Sequence, residues 1–192
     1  MDIYLTKNLP ELETERLMLR KISKSDINDI YEYSSNPLTS KYLLWYPHFS
    51  KRDTKRHVKN VLKKYKKGSF YDYAVVLKES GKMIGTCGFT RIDHYDDKAE
   101  IGYVINPDYW GRGYATEAVK RVIDLGFLEI GLERIEARYI DGNERSLELM
   151  KRVKMTHEGI MRNGVKSKGK YHNVGVCSVL SNEYFKTTCK IK

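Results

Sequence analysis

Seven residues in the middle of the chain, Trp110-Gly111-Arg112-Gly113-Tyr114-Ala115-Thr116, have the make-up of an anion-binding turn. Two glycines one residue apart let the backbone approach a ligand closely and take positive φ. The segment follows an apolar run, Ala99 to Ile105, and opens an amphipathic one, Thr116 to Ile130, so it reads as a strand-to-helix connection. The first N–H groups of a helix have no partner within it and lie at the positive end of its dipole. Turn and helix start together suit a phosphate, and Arg112 adds charge. The same glycines would also serve a connection that only lets helix and sheet pack closely. The P-loop Lys-Ser/Thr and the third glycine of a Rossmann fingerprint are missing, which leaves few nucleotide-containing cofactors.

The elements around the turn follow from periodicity. Strands are expected at Arg16 to Ile22, Tyr71 to Leu77, Met83 to Ile92, Ala99 to Ile105, Arg134 to Tyr139, Met155 to Arg162 and Tyr171 to Leu180. A capping box, Ser23 to Asp26, opens a helix that ends near Asn36-Pro37. Ser50 to Asp53 opens another, which Gly68 closes. Further helices are expected at Thr116 to Ile130 and Glu144 to Val153. The result is an α+β chain: a mostly antiparallel sheet of about seven strands with one parallel crossover, flanked by about four helices. One domain covers residues 1–185, and 186–192 form a basic tail. Where a crossover makes neighbouring strands diverge, a gap opens at their C-terminal ends, the usual ligand site of α/β sheets.

Composition narrows the class. Hydrophobic residues make up 41% and charged residues 31%, an ordinary globular balance. No apolar run is long enough to span a membrane, and the N-terminus lacks a basic region followed by an apolar core. The three cysteines, Cys87, Cys177 and Cys189, form no framework, so a reducing, cytoplasmic setting is expected. No metal site is expected. The +10 charge gathers at Lys51 to Lys67, Arg162 to Lys170 and Lys186 to Lys192, without a nucleic-acid motif. Neither nucleic acid nor a membrane is an expected partner.

The run Trp110-Gly-Arg-Gly-Tyr-Ala-Thr-Glu-Ala118 resembles motif A of the GNAT superfamily of N-acetyltransferases, and within it the RimJ/RimL-type branch that acetylates ribosomal-protein N-termini. Glu13 to Arg20, Ala99-Glu-Ile-Gly-Tyr103, Gly126-Phe127, Asn143-Glu-Arg-Ser146, Glu158-Gly159 and Arg162 extend the resemblance over about residues 12 to 184. It implies the GNAT fold, a twisted central sheet, acetyl-CoA as cosubstrate, and a primary amine as acceptor. It implies that the backbone of Val104 and Ile105 pairs with the pantetheine arm. Gly111, Arg112, Gly113, Tyr114, Ala115 and Thr116 would hold the pyrophosphate, and Asn143 would bond the pantetheine. Ser146 would lie near the thioester sulfur, and Lys151 would approach the adenine and its phosphates. There are departures. Trp110 replaces Gln or Arg, and Met150 replaces a tyrosine acid. Val165 falls where the branch carries an acidic residue that activates water. Arg152-Val-Lys-Met155 stands for Lys-Leu-Gly-Phe, so a glycine cap is lost and the last helical turn should be distorted.

Acetyl transfer to an amine needs a neutral amine, a stabilised oxyanion and a protonated leaving thiolate. An α-amine of pKa about 8 is roughly a tenth neutral at pH 7, whereas a lysine near 10.4 is far less so. Glu100, directly or through water, is the candidate base, the Val104 N–H the oxyanion donor and Ser146 the acid. Trp45, Tyr46, Phe49, Tyr71 and Tyr73 are candidates for an acceptor channel, and no histidine is assigned a catalytic role. A protein N-terminal α-amine of the ribosomal type is the expected acceptor. A small amine (polyamine, amino sugar, amino acid) and a catalytically impaired CoA-binding regulator remain as alternatives. A monomer or homodimer is expected.

Overall fold

The computed structural model describes residues 9–67 and 71–188. The strands are β1 (Leu12–Glu13), β2 (Leu17–Arg20), β3 (Tyr71–Leu77), β4 (Met83–Asp93), β5 (Lys98–Ile105), β6 (Arg134–Ile140), β7 (Thr156–Ser167) and β8 (Lys170–Leu180). The helices are α1 (Ile27–Ser34), α2 (Pro37–Ser40), α3 (Lys51–Lys66), α4 (Tyr114–Asp124), α5 (Glu144–Arg152) and α6 (Ser181–Thr188). The sheet runs β1-β2-β3-β4-β5-β6-β8-β7, and only β5 and β6 pair in parallel. The fold is the expected one, with one more strand and two more helices among the described residues. β1, α2 and α6 are only 2, 4 and 8 residues long, too short to carry a period. α6 runs through Lys186, so the start of the expected tail is helical.

Local signals set the boundaries. Ser23 with Asp26, and Ser50 with Asp53, form the two capping boxes. The closure of α3 at Gly68 lies outside the described residues. Asn36 stops α1 and starts α2, its side chain accepting from the Leu38 N–H at 3.0 Å. The helix after the glycine turn changes to a π-helix over Leu125–Ile130. There Gly126 presses on the sheet, and a Cβ on it would stand 2.6 Å from Ile135 Cδ1. The last turn of α5 closes regularly even without the glycine. Lys154 takes the left-handed position at φ 65°, and Met155 N–H closes the turn on Met150 O at 2.9 Å. The basic stretch Arg162 to Lys170 is the end of a hairpin, β7 running to Ser167 and β8 starting at Lys170.

The sheet has two differently covered faces. Tyr73, Cys87, Ile101 and Ile135 point to one face, where α4 and α5 seal a core with Val119, Val122, Phe127, Leu149 and Met150. The other face carries Asp72, Ala74, Glu100 and Gly102. α1 and α3 cover only its β2–β4 end. Arg20, paired with Ala74, grips Asp26 through bonds of 2.7 and 2.9 Å, and Tyr65 Oη donates to Asp72 O at 2.6 Å. The rest of that second face stays open.

Candidate active site

The parallel pairing of β5 and β6 ends at Ile101↔Ala137. β5 continues to Ile105 along β4 alone, and β6 continues to Ile140 along β8. The two strands splay apart, leaving one edge of Gly102–Ile105 without a strand partner. Trp110 props the far end: its indole N–H donates to Ile105 O at 2.7 Å, and Arg145 stacks on the ring at 4.5 Å. Of the expected backbone pair, Val104 and Ile105, the Ile105 carbonyl thus already has a partner, and Val104, two residues before Asn106 whose N–H donates to Ile84 O, turns its own N–H toward β4 instead of the splay.

The glycine turn lies at the N-terminus of α4. Gly111 and Gly113 sit at φ 79° and 82°, a region costly for any side chain. No side chain caps this helix, and its first internal bond runs from Glu117 N–H to Gly113 O. The preceding N–H groups are left for a ligand. Glu117 fixes the turn from behind by accepting from Thr14 Oγ1, Arg16 N and Arg16 Nε at 2.5, 2.9 and 2.7 Å. Burial would raise its pKa, but these bonds win and hold it below the usual carboxylate range. Arg16 also donates to Arg112 O at 3.1 Å. Beside the turn is a cleft of about 460 Å³ lined by Glu15, Gly111, Gly113, Thr116, Glu117, Lys120 and Arg152. Positive-φ glycines, uncapped N–H groups and two cations fit a pyrophosphate-bearing molecule. Lys151 does not line this cleft. Its ammonium pairs with Glu148 at 2.9 Å, and the adjacent Arg152 faces the cleft instead.

Behind the splay, α5 begins at Asn143. Its side-chain oxygen caps the helix, accepting from Ser146 N at 3.4 Å, which leaves its amide N–H₂ as donor. Ser146 Oγ lies 2.7 Å from Tyr103 Oη, and burial raises the Tyr103 pKa, so the phenol stays protonated. Met150 is fully buried and can donate nothing. Tyr103 was missed in the sequence because it stands 43 residues from Ser146. The signal was its place in the Ala99-to-Tyr103 motif, two residues after Ile101 and on the same face.

Glu100 faces the other side of the splay. Arg138 Nε stands 3.4 Å from its Oε2, and Arg138 also binds Glu136 at 2.9 Å. Arg134 links Glu136 at 3.2 Å to Glu158 at 2.6 Å. Arg134 holds Glu158 well below the usual range, at about 2. This ladder fixes the carboxylates along β5, β6 and β7. The aromatic candidates divide. Tyr73 is fully buried against α4, on the face away from Glu100, so it lines no acceptor channel. Tyr46 and Phe49 line a separate cleft with His48 and His57. Those two histidines are brought 5.9 Å apart, with His48 Nδ1 2.8 Å from both Ser34 Oγ and Thr54 Oγ1. Burial lowers both their pKa values, so they are neutral packing groups at pH 7.

The glycine turn, the splay and the helix pair that encloses them define a class of acetyl-transferring enzyme. Residues 16–156 match the Acetyltransferase (GNAT) domain family, and the chain belongs to it. An uncharacterised N-acetyltransferase of Bacillus licheniformis, p20, is 35% identical over 173 residues, covering 90% of this chain and 97% of its own. A GNAT-family acetyltransferase of Bacillus anthracis superposes with a TM-score of 0.80 at 27% identity, covering 91% of this chain and 100% of that one. A ribosomal L7/L12 α-N-protein acetyltransferase solved with coenzyme A shares the fold, with a TM-score of 0.75 at 20% identity over 91% and 99% of the chains. The chain is therefore an N-acetyltransferase of a family that uses acetyl-CoA. Among the described residues no helix is long and apolar enough to cross a membrane.

Proposed function

We propose that this enzyme transfers the acetyl group of acetyl-CoA to the α-amine of a protein N-terminus, as in ribosomal-protein acetylation. The carrying observation is the splay at Ile101↔Ala137, with the glycine turn on one face and Glu100 on the other. When bound, acetyl-CoA supplies a thioester whose carbonyl the amine attacks. Gly111 to Thr116 hold its pyrophosphate, with Lys120 and Arg152 as the nearby cations. The Asn143 amide and the open edge of Gly102–Ile105 take the pantetheine arm. An outward-facing N–H of that edge, at Tyr103 or Ile105, meets the oxygen that becomes negative. Glu100 takes the amine proton directly or through water, and Ser146, bonded to the Tyr103 phenol, protonates the leaving sulfur.

The acceptor class rests on base strength. A glutamate as the base suits an α-amine near pKa 8 rather than a lysine near 10.4. Ribosomal acetyltransferases among the fold neighbours support the same class. The test is thiol release from acetyl-CoA with peptides mimicking ribosomal-protein N-termini, polyamines and amino sugars. Release with free-α-amine peptides, and none with the same peptides blocked at the α-amine, is expected. Release only with polyamines or sugars would move the acceptor to small amines. CoA binding without release on any amine would leave a binding protein.

A further inference from the structure

Two basic stretches that lie far apart in the chain meet on one surface. Nine lysines and arginines fall between residues 51 and 67, and every one of them is exposed. Helix α3 turns Thr54, Val58, Val61 and Tyr65 inward, so its cations share the solvent side. Asp53 is the one acid in that span, and the Ser50 N–H at 3.1 Å and Arg56 at 2.8 Å hold it. The second stretch is the β7–β8 hairpin. A bulge between Met161 and Val165 interrupts its pairing, where the Asn163 N–H donates to Asn173 Oδ1 at 3.0 Å. Such a bulge bends the strand that carries it. The tip reaches the segment ahead of α3, 128 residues back: Lys168 Nζ donates to Ser40 O and stands over the Tyr46 ring at 5.9 Å.

Aromatic rings stand open among these cations. Phe49 is 85% exposed and Tyr46 59%, and both line a cleft of about 330 Å³ with Arg56, His57 and Asn60. On the hairpin, Lys166 stands over the exposed Tyr171 ring at 5.3 Å. Open rings interleaved with cations are the two parts of a single-strand site, since bases stack on the rings and phosphates follow the positive charge. No residue of this cleft lines the one beside the glycine turn. A bilayer fits less well, because the apolar side of α3 is packed into the fold and has nothing to insert. An acidic peptide would use the charge and leave the rings idle.

We infer that this surface binds single-stranded RNA, its bases on Phe49 and Tyr46 and its backbone along α3 and the hairpin tip. RNA loops and ends present unstacked bases, and Asn60 beside the rings offers a polar partner for a 2′-hydroxyl. The sequence expectation of no nucleic-acid partner took each basic stretch by itself, whereas the fold joins two of them. This binding is separate from acetyl transfer, and neither depends on the other.

The experiment is fluorescence anisotropy of the full chain with a labelled single-stranded RNA of about 15 nucleotides, the upper site size of one such module. Log affinity is expected to fall against log salt with a slope of about −2 or steeper, three phosphates at about 0.7 each. Phe49→Ala should weaken binding about tenfold, the stacking of one base. Replacing the exposed Lys55 and Lys59 together (K55Q/K59Q) should lower the slope by about 1.4, two phosphates. Both variants should keep the acetyl-CoA affinity of wild type in calorimetry, and saturating CoA should leave RNA bound. Duplex RNA, the DNA strand of the same sequence, polyglutamate, and phosphatidylcholine vesicles containing phosphatidylserine should all bind more weakly than the RNA strand. No RNA binding at physiological salt, an unchanged affinity in Phe49→Ala, an unchanged slope in K55Q/K59Q, displacement by CoA, or any competitor bound as tightly as the RNA overturns the inference. Each of these outcomes leaves acetyl transfer standing.

Discussion

The two faces of the splay are built from different materials. On the proposed donor face the groups offered to a ligand are mostly backbone: uncapped N–H groups at Gly113 to Thr116 and the open edge of β5 past Ile101. Side chains there act as struts, Glu117 binding Arg16 and Thr14, and Trp110 binding Ile105. On the proposed acceptor face the groups are side chains, Glu100 with Arg138 and, beside them, Glu136 and Glu158 joined by Arg134. A backbone site serves one invariant ligand and needs only glycines and a helix start. A side-chain site can change its partner by changing one residue. The donor half should therefore be brittle toward backbone changes, and the acceptor half should answer to charge.

The largest effect is expected at the turn. Gly113→Asp forces a side chain into φ 82° and puts a negative charge at the proposed phosphate site. Acetyl-CoA affinity in calorimetry should fall at least about 100-fold, about 2.7 kcal/mol. An unchanged Kd would break the contrast. Next comes the acid. Tyr103→Phe and Ser146→Ala should each lower kcat about 10- to 100-fold with acetyl-CoA affinity kept, and the double variant should lose little more, since the two hydroxyls act as one unit. Full additivity in the steady-state cycle would separate them. Smaller again is Glu100→Gln, which should cut kcat/KM about tenfold at pH 7. The deficit should narrow toward pH 9, where the α-amine is already neutral. A deficit that stays constant in the pH profile would assign Glu100 to structure. The smallest effect lies outside both faces. Lys154→Gly relieves a left-handed residue at the end of α5 and should stabilise the fold by about 1 kcal/mol, raising Tm by about 3 °C with kinetics unchanged.

The donor half was readable because its signals are local. Glycine spacing, a strand before and a helix after stand within thirty residues, and the lost glycine at position 154 foretold the strained turn found there. Arg152, not the neighbouring Lys151, lines the cleft, because which side of a short helix end meets it depends on the helix's seating on the sheet. Tyr73 was grouped with other aromatics by sequence neighbourhood, yet strand alternation and the position of α4 bury it on the opposite face. Tyr103 carried a signal only through its place in the Ala99-to-Tyr103 motif, since a tyrosine in a strand is ordinary.

By itself the sequence determined the order of elements and the glycine turn between strand and helix, because each depends on residues a few positions apart. Only the tertiary structure decided which hydroxyl backs Ser146, which cation faces the cleft, and which backbone groups of β5 face the splay. Those relations join residues from strands and helices far apart in the chain. They exist only once pairing register and helix docking fix which side chains share a face.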